Sequence, residues 1–221
     1  MNASSERARF NMIEQQIRPW DVLDERVLSV MAELKRELFV PDAYQGLAYA
    51  DIEIPIGRNT SMLAPKVVGR MLQALDVRPD DKVLEIGTGT GYTTACLARL
   101  GGRVVGIEID PELAAAARER TGAMGLSRVE VLTGDAMAGP VEGGPFDVIA
   151  VTGSLPDETA LSMLRKQLAR GGRLFAVVGG EPLMRAVLET LLPSGDVRRK
   201  LLFETCVPRL RNAPEPARFV F

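Results

Sequence analysis

Short apolar runs alternate with helical patterns from Lys82 onward, and this alternation constrains the fold more than any other feature of the chain. The runs cover residues 83–86, 104–108, 129–132 and 146–151, and helical patterns lie between the first three. A continuous apolar run of this length is typical of a strand buried on both faces. Strands joined by helices form right-handed βαβ units with parallel pairing. The sequence therefore predicts an α/β, Rossmann-like fold with a mainly parallel sheet flanked by helices.

Different patterns flank the alternating region on each side. Residues 1–75 are mostly helical in pattern, although residues 44–64 have no helical period and are expected to be irregular. Residues 181–221 contain two apolar runs around a Pro-Ser-Gly-Asp turn cluster, which predicts an antiparallel hairpin. We expect one structural domain in three parts: an N-terminal helical cover (1–75), a Rossmann-like core (76–180) and C-terminal strands that complete the sheet (181–221).

Three details of the helical patterns can be tested against a structure. Phe10, Ile13 and Ile17 share one helical face, and Asp21 is suitably placed to cap a second helix. A later helix, with Leu161, Leu164 and Leu168 on its apolar face, precedes a strand over residues 173–178. These spacings predict which side chains face the core.

Composition and charge exclude several classes of protein. The formal net charge is −2, so the basic surplus that nucleic-acid binding needs is absent. The first residues are polar, and no stretch approaches the roughly 18 apolar residues that span a bilayer. The two cysteines, Cys96 and Cys206, are too few for a disulfide framework. We expect a cytoplasmic protein that binds neither membrane nor nucleic acid.

The chain contains no histidine. Histidine is the commonest general base at neutral pH and the commonest metal ligand. Its absence excludes Ser-His-Asp and Cys-His hydrolysis and zinc sites built on histidine. Any reaction that this chain catalyses must need no imidazole, and no metal site is expected.

A glycine-rich turn follows the first apolar run and precedes a helix. Gly87, Gly89 and Gly91 are spaced as G-x-G-x-G, which differs from the G-x-G-x-x-G fingerprint of dinucleotide folds. Glycines allow a tight turn and a close approach of the backbone to a ligand, and the following helix offers free N–H groups. The turn predicts a ligand site at the carboxyl edge of the sheet.

Acidic side chains follow the next two predicted strands. Glu108 ends the second strand, where a carboxylate can accept both hydroxyls of a ribose, and Asp135 follows the third, where it can meet the exocyclic amine of adenine. Either residue alone could be a surface residue or a cap, as is expected of Asp110. Together with the glycine turn they give three neighbouring strand ends with suitable groups at one edge.

The segment Val-Leu-Glu-Ile-Gly-Thr-Gly-Thr-Gly-Tyr at 83–92 resembles the first motif of class I S-adenosylmethionine-dependent methyltransferases. The chain is most similar to the protein-L-isoaspartate O-methyltransferase family, through Leu-Phe-Val-Pro at 38–41, Pro-Ile-Gly at 55–57 and Pro-Phe-Asp-Val-Ile-Ala-Val-Thr at 145–152. The resemblance covers residues 28–207. It implies a seven-stranded sheet, S-adenosyl-L-methionine as cofactor with S-adenosyl-L-homocysteine as product, and methylation of a carboxylate on an abnormal aspartyl residue of damaged protein. A carboxylate is ionised at neutral pH and needs no general base.

The chain departs from that family in the substrate loop. The family carries Ile-Gly-x-Gly-Gln-Thr-Ile-Ser-x-Pro, whereas residues 56–65 read Ile-Gly-Arg-Asn-Thr-Ser-Met-Leu-Ala-Pro, so Leu63 stands at the serine. Ser61 or Thr60 could take the serine's role. Alternatively, Met62 and Leu63 shape the pocket for a more apolar acceptor, or the hydroxyls only cap the helix that begins near Pro65 and methyl transfer is weak or lost.

The resemblance and the residue patterns together predict three groups of site residues. The catalytic candidates are Ser61 and Thr60, and the substrate side is formed by Ile56, Gly57, Met62 and Leu63. The cofactor residues are Glu85, Gly87, Thr88, Gly89, Gly91, Glu108, Ile109, Asp135, Ala136 and Thr152. The expected acceptor is a protein or peptide with an abnormal aspartyl residue. The alternatives are a small apolar acceptor or a non-catalytic S-adenosylmethionine-binding role, and the chain is expected to be a monomer or homodimer.

Overall fold

Six α-helices and nine strands are found in the part of the chain that the structure, a computed structural model, describes: residues 3–57 and 59–214. The helices are α1 (Ala3–Asn11), α2 (Glu25–Glu33), α3 (Pro65–Leu75), α4 (Tyr92–Arg99), α5 (Pro111–Ala123) and α6 (Glu158–Arg165). The strands are β1 (Ile54–Gly57), β2 (Thr60–Met62), β3 (Lys82–Ile86), β4 (Arg103–Glu108), β5 (Val129–Thr133), β6 (Phe146–Leu155), β7 (Leu168–Gly180), β8 (Leu183–Leu191) and β9 (Val197–Thr205). Arg58 of the substrate loop lies outside the described residues.

Seven strands form one sheet in the order β5-β4-β3-β6-β7-β8-β9. The strands from β3 to β7 pair in parallel, whereas β7, β8 and β9 pair antiparallel. The predicted mainly parallel seven-stranded sheet and the C-terminal antiparallel hairpin are therefore confirmed. The chain runs outward from β3 to β5 and then returns to β6 on the other side of β3. In such sheets ligands bind outside the carboxyl ends of the strands, at this change of direction.

Two large apolar clusters cover the faces of the sheet. One contains side chains from the N-terminal helices, α3, α4 and strand residues such as Val83 and Phe175, and the other contains α6 and residues such as Leu84 and Leu174. Neighbouring residues of β3 and β7 thus point to opposite faces, as strand geometry requires. Burial on both faces explains why these strands are continuous apolar runs. Among the described residues, no helix is long and apolar enough to cross a membrane.

The N-terminal region is helical, but two of its predicted details are wrong. Asp24, not Asp21, caps α2, since its side chain accepts a hydrogen bond from the Arg26 N–H. Asp21 instead ends a short 3₁₀ turn with a left-handed backbone at φ 57°. Phe10 is exposed although Ile13 and Ile17 are buried, because the helix widens into a π-turn after Asn11 and the helical spacing changes.

Two other segments also differ from the sequence prediction. Residues 44–64 are not wholly irregular, since β1 and β2 form a small hairpin in which Ile54 pairs with Met62. The predicted helix with Leu168 on its apolar face ends earlier, at Arg165. Leu168 opens β7 and pairs with Phe146. A short apolar pattern does not distinguish the last turn of a helix from the start of a buried strand.

Candidate functional site

The glycine turn after β3 has backbone angles that would be strained for any residue with a side chain. Gly87 has a φ of 90° and Gly89 a φ of 52°. A Cβ at Gly87 would lie 2.7 Å from the Thr152 hydroxyl, and one at Gly89 would lie 2.9 Å from Ile56. The turn is therefore held between β1 and β6, and the predicted residues Ile56 and Thr152 contact it directly. This packing requires glycine at both positions.

Two residues below the turn support it. Gly106 of β4 leaves room for Thr88, since a Cβ there would lie 2.4 Å from the Thr88 methyl. Glu85 is fully buried, and one of its carboxyl oxygens accepts a 2.5 Å hydrogen bond from the Thr94 hydroxyl. Burial raises the pKa of Glu85 to about 8. Glu85 thus joins the end of β3 to α4 beside the turn, and its contact with the cofactor stays a prediction.

Glu108 holds the turn from the end of β4. One carboxyl oxygen accepts the Gly89 N–H at 2.9 Å, and the other accepts the Asp110 N–H at 3.0 Å. The side chain is buried but lines the cleft outside the sheet. Each carboxylate oxygen has lone-pair capacity for a further donor. Glu108 can therefore keep its main-chain partners while it accepts hydroxyl groups from a ligand.

Asp135 lies beyond β5 with both carboxyl oxygens engaged. One oxygen accepts the Met137 N–H at 2.8 Å, and the other accepts the Asn212 side-chain amide at 2.8 Å. Ala136 and Ile109 line the same small cavity as Asp135. Asp110 caps α5 by accepting the Glu112 and Leu113 N–H groups, as predicted from its position. Glu108 and Asp135 thus line the cleft and its side cavity, whereas Asp110 serves as the cap of α5.

The segment of residues 207–213 crosses the carboxyl edge of the sheet, and the sequence did not point to it. Ser154 of β6 fixes the segment, since its N–H donates to the Pro208 carbonyl and its own carbonyl accepts the Leu210 N–H, both at 2.9 Å. Arg211 then reaches towards Asp110 at 3.4 Å. No pattern in the sequence of this segment signals its position. This segment forms one wall of the cleft.

The turn, the strand ends, the substrate loop and the 207–213 segment line an open cleft with two smaller cavities beside it. Most of the predicted site residues line these spaces: Ile56, Thr60, Ser61, Met62, Leu63, Gly87, Thr88, Gly89, Glu108, Ile109, Asp135, Ala136 and Thr152. Three do not, namely Gly57, Glu85 and Gly91. The fold therefore brings together predicted site residues that are up to 96 positions apart, from Ile56 to Thr152.

The substrate loop presents its two hydroxyl residues to the cleft and buries its two apolar residues. Thr60 and Ser61 are half-buried, whereas Met62 and Leu63 pack into the core. Helix α3 begins at Pro65 without a side-chain cap among the described residues. The interpretation that these hydroxyls only cap the helix is therefore wrong.

Arg36 lies behind the substrate loop and is a site residue that sequence reasoning missed. The residue is 1% exposed, and its guanidinium donates to the Leu63 carbonyl at 2.9 Å and lies 4.9 Å from the centre of the Tyr92 ring. Desolvation by burial lowers the pKa of Arg36. It lines one of the smaller cavities together with Thr88 and Thr90. Nothing in the charged stretch around Arg36 distinguishes it from a surface arginine.

The described residues contain no cluster of histidine, cysteine and carboxylate side chains that could hold a metal ion. Both cysteines are free thiols, and Cys96 is buried whereas Cys206 is exposed. Burial raises the pKa of Cys96 to about 12, so its thiol stays protonated at neutral pH.

Comparisons with known proteins agree with this architecture. A relative from Aeropyrum pernix, named protein-L-isoaspartate O-methyltransferase, is 43% identical over 199 residues, which are 87% of this chain and 75% of the relative. One from Koribacter versatilis with the same name is 42% identical and covers 92% and 91%. A crystal structure from Plasmodium falciparum, described as a protein-L-isoaspartate O-methyltransferase in complex with S-adenosyl-L-homocysteine, matches with a TM-score of 0.77 at 20% identity, over 94% of this chain and 98% of that one; at that identity it supports the fold alone.

A model of a protein family also matches this chain. The model of protein-L-isoaspartate(D-aspartate) O-methyltransferase matches residues 7–191, which include the substrate loop, the glycine turn and both strand-end carboxylates. The match extends well beyond the motif that many methyltransferases share. The chain therefore belongs to the protein-L-isoaspartate(D-aspartate) O-methyltransferase family.

Proposed function

We propose that this chain transfers a methyl group from S-adenosyl-L-methionine to a carboxylate of an abnormal aspartyl residue in a protein or peptide. Family membership supports the reaction class. The observation that carries the proposal is the single cleft lined by Gly89, Glu108, Thr60 and Ser61. A donor site and an acceptor site that share one cleft allow direct transfer between two bound molecules.

The residues present fit the cofactor. The backbone at Gly87 and Gly89 has no side chains to keep a ligand away, and added Cβ atoms would collide with neighbours. Glu108 would accept the ribose hydroxyls, and Asp135 would accept the adenine amine. Ile109 and Ala136, which line the cavity beside Asp135, would contact the adenine ring. These roles follow the arrangement of donors and acceptors along the sheet edge.

The reaction asks little acid–base chemistry of the protein. Bound S-adenosyl-L-methionine supplies a methyl group that the positive charge on sulfur activates. An acceptor carboxylate is already ionised at neutral pH, which accords with a chain that has no histidine. The protein's task is to align the two groups and to exclude water. The 207–213 segment and the substrate loop, which wall the cleft on two sides, would perform both tasks.

Ser61 is our first candidate for the hydroxyl that orients the acceptor carboxylate. It lines both the main cleft and the cavity behind the loop, whereas Leu63 is buried and has no hydrogen-bonding side chain. Thr60 lies 3.5 Å from the Arg211 guanidinium, so it shares its corner of the cleft with a positive charge. We therefore assign the serine's role to Ser61, with Thr60 and Arg211 beside it.

The test is methyl transfer from labelled donor to an isoaspartyl peptide, with the normal aspartyl peptide of the same sequence as the matched control. We expect labelling of the isoaspartyl peptide only. The Ser61→Ala variant should lower kcat/KM by about tenfold or more, because it removes a hydrogen bond to a charged group. Equal labelling of both peptides, or of neither, would contradict the proposal.

A second assay tests whether the acceptor is a small apolar molecule instead of a peptide. If neither peptide is labelled but the protein binds S-adenosylhomocysteine, labelled donor should be incubated with a fraction of small apolar molecules. Transfer there would establish a different acceptor. Absence of transfer in both assays, with intact binding, would indicate the non-catalytic role. Each of these results excludes methylation of an aspartyl carboxylate by this chain.

A further inference from the structure

A small cavity behind the substrate loop contains buried polar atoms that have no hydrogen-bond partner. They are the Arg36 Nε and the hydroxyls of Thr88, Thr90 and Tyr92, all on residues at most 4% exposed. Unpaired polar atoms at this depth are rare in folded proteins, because each loses its hydrogen bonds to water. Four such atoms belong to residues that line one cavity, so hydrogen-bonding groups for a polar ligand are available there.

The charge in this cavity is positive and uncompensated. No carboxylate of a described residue lies within 4 Å of the Arg36 guanidinium. Asp51 attracts it only from a greater distance and pairs with Lys66 at 2.6 Å. The Tyr92 ring and the Leu63 carbonyl offset part of the desolvation. A buried cation without a counter-charge is unfavourable, so an anionic group would gain strongly by entering.

We propose that Arg36, Thr88 and Thr90 form a pocket for a ligand carboxylate. The guanidinium Nε–H and two hydroxyls are all able to donate, and a carboxylate accepts several hydrogen bonds at once. The cavity is also lined by Gly87 and Gly89, the turn assigned above to the cofactor. The inference rests on the proposed function, because that function supplies two ligands with a carboxylate: the amino-acid end of the methyl donor and the acceptor.

The position of the pocket favours the donor as the source. Glu108 and Asp135, assigned to the ribose and the adenine, line the cleft and the small cavity that it adjoins, and both spaces are also lined by Gly87. The Arg36 cavity touches the same glycine but contains neither carboxylate. A molecule that lies across the turn would thus present its nucleoside to Glu108 and Asp135 and its amino-acid carboxylate to Arg36. Arg36 would be a binding residue for that carboxylate.

The experiment compares two ligands that differ only in the carboxylate. Calorimetry measures the Kd of S-adenosylhomocysteine and of its decarboxylated analogue, which keeps the amine, for wild-type protein and for Arg36→Met and Thr90→Val. We expect wild type to prefer the intact ligand by about tenfold or more, and Arg36→Met to lose that preference, since a hydrogen bond to a charged group is worth a factor of this size. Thr90→Val should reduce the preference while it keeps the shape of the side chain.

Two controls distinguish loss of the carboxylate pocket from a general loss of stability. Thr121→Val removes a buried hydroxyl bound to the Ala117 carbonyl of α5, and it should leave the preference unchanged. If Arg36→Met does not fold, as thermal unfolding would reveal, Thr90→Val carries the test. Wild-type protein that binds neither ligand would overturn the proposed cofactor site itself.

The acceptor is the other ligand with a carboxylate that could enter the pocket. Kinetics with the isoaspartyl peptide test this possibility. Unchanged binding of both ligands with a raised peptide KM and an unchanged kcat in Thr90→Val would support the pocket and assign its carboxylate to the acceptor. The pocket is overturned if the variants weaken both ligands equally, or if neither ligand affinity nor peptide KM changes.

Discussion

The side-chain amide of Asn212 donates a 2.8 Å hydrogen bond to the carboxylate of Asp135. Asn212 belongs to the segment that crosses the sheet edge, and Asp135 follows β5, so the bond joins positions 77 residues apart. An amide N–H on this oxygen is the same kind of donor as the exocyclic amine of adenine. The protein thus satisfies Asp135 internally with a group that resembles the expected ligand.

Asn212→Ala should tighten the binding of S-adenosylhomocysteine. The prediction assumes that adenine takes the place of the Asn212 amide on this oxygen, so that wild-type protein gives up one hydrogen bond on binding; a net hydrogen bond corresponds to about a fivefold change in affinity. Calorimetry at pH 7 measures the change. Asp135→Ala should weaken binding in the same assay. Weaker binding by Asn212→Ala would mean that Asn212 assists the ligand and does not compete with it.

Glu108→Gln should weaken S-adenosylhomocysteine binding by about tenfold or more, because one oxygen that accepts a hydrogen bond becomes an N–H₂ donor. The new donor would face either the Gly89 N–H or the Asp110 N–H, which both need an acceptor. Glu112→Gln, in the exposed first turn of α5, is the matched control and should bind as wild type does. Equal affinities of Glu108→Gln and wild type would remove Glu108 from the cofactor site.

Burial raises the pKa of Glu85 from its ordinary value of 4.5 to about 8. Between these two values the folded protein keeps a proton that the unfolded chain loses, so the contribution of Glu85 to stability falls as the pH rises. Glu85→Gln, which resembles the neutral carboxyl group, should therefore gain stability relative to wild type from pH 5 to 8. The difference should level off above pH 8. Urea unfolding of both proteins across this range measures it, and a difference that does not vary with pH would contradict the raised pKa.

Glu189 of β8 is buried and joins α6 to β9. Its carboxylate accepts hydrogen bonds from Arg165, at 2.6 and 2.8 Å, and from Arg199, at 2.6 and 3.0 Å. Glu189→Gln removes the charge that both arginines share and should lower the free energy of unfolding by about 2–3 kcal/mol. Glu158→Gln removes an exposed partner of Arg199 and should cost less than about 1 kcal/mol in urea unfolding. Similar losses for the two variants would mean that burial adds nothing to the Glu189 contacts.

The sheet and the family were both predictable from the sequence. Runs such as 83–86 and 104–108 report burial on both faces, because a strand between two helical layers has no solvent side. The glycine turn at 87–91 reports a strained backbone that only glycine adopts easily. Both signals are local, and the structure and the family match confirm what they predicted. The roles of individual residues in binding and catalysis stay predictions.

Features that depend on distant contacts were not predictable. Arg36 lies in a stretch with Lys35 and Glu37, and only the fold reveals that the Leu63 carbonyl accepts a hydrogen bond from its guanidinium. The segment at 207–213 follows β9 without a periodic pattern, and it contacts Ser154, whose hydroxyl bonds to a carbonyl 53 positions away. Asp24 and Asp21 are equally good caps by residue type, so the choice between them depends on the turn at Pro19.

The most direct test of the central claim is to map the site of methylation. Protein, S-adenosyl-L-methionine and one peptide that contains both a normal aspartyl and an isoaspartyl residue are incubated together, and fragmentation mass spectrometry locates the added methyl. We expect a single methyl ester on the isoaspartyl carboxylate. We also expect a marked loss of that product with Ser61→Ala. A methyl group on the normal aspartyl residue or on any other side chain, or an unmodified peptide, would contradict the claim.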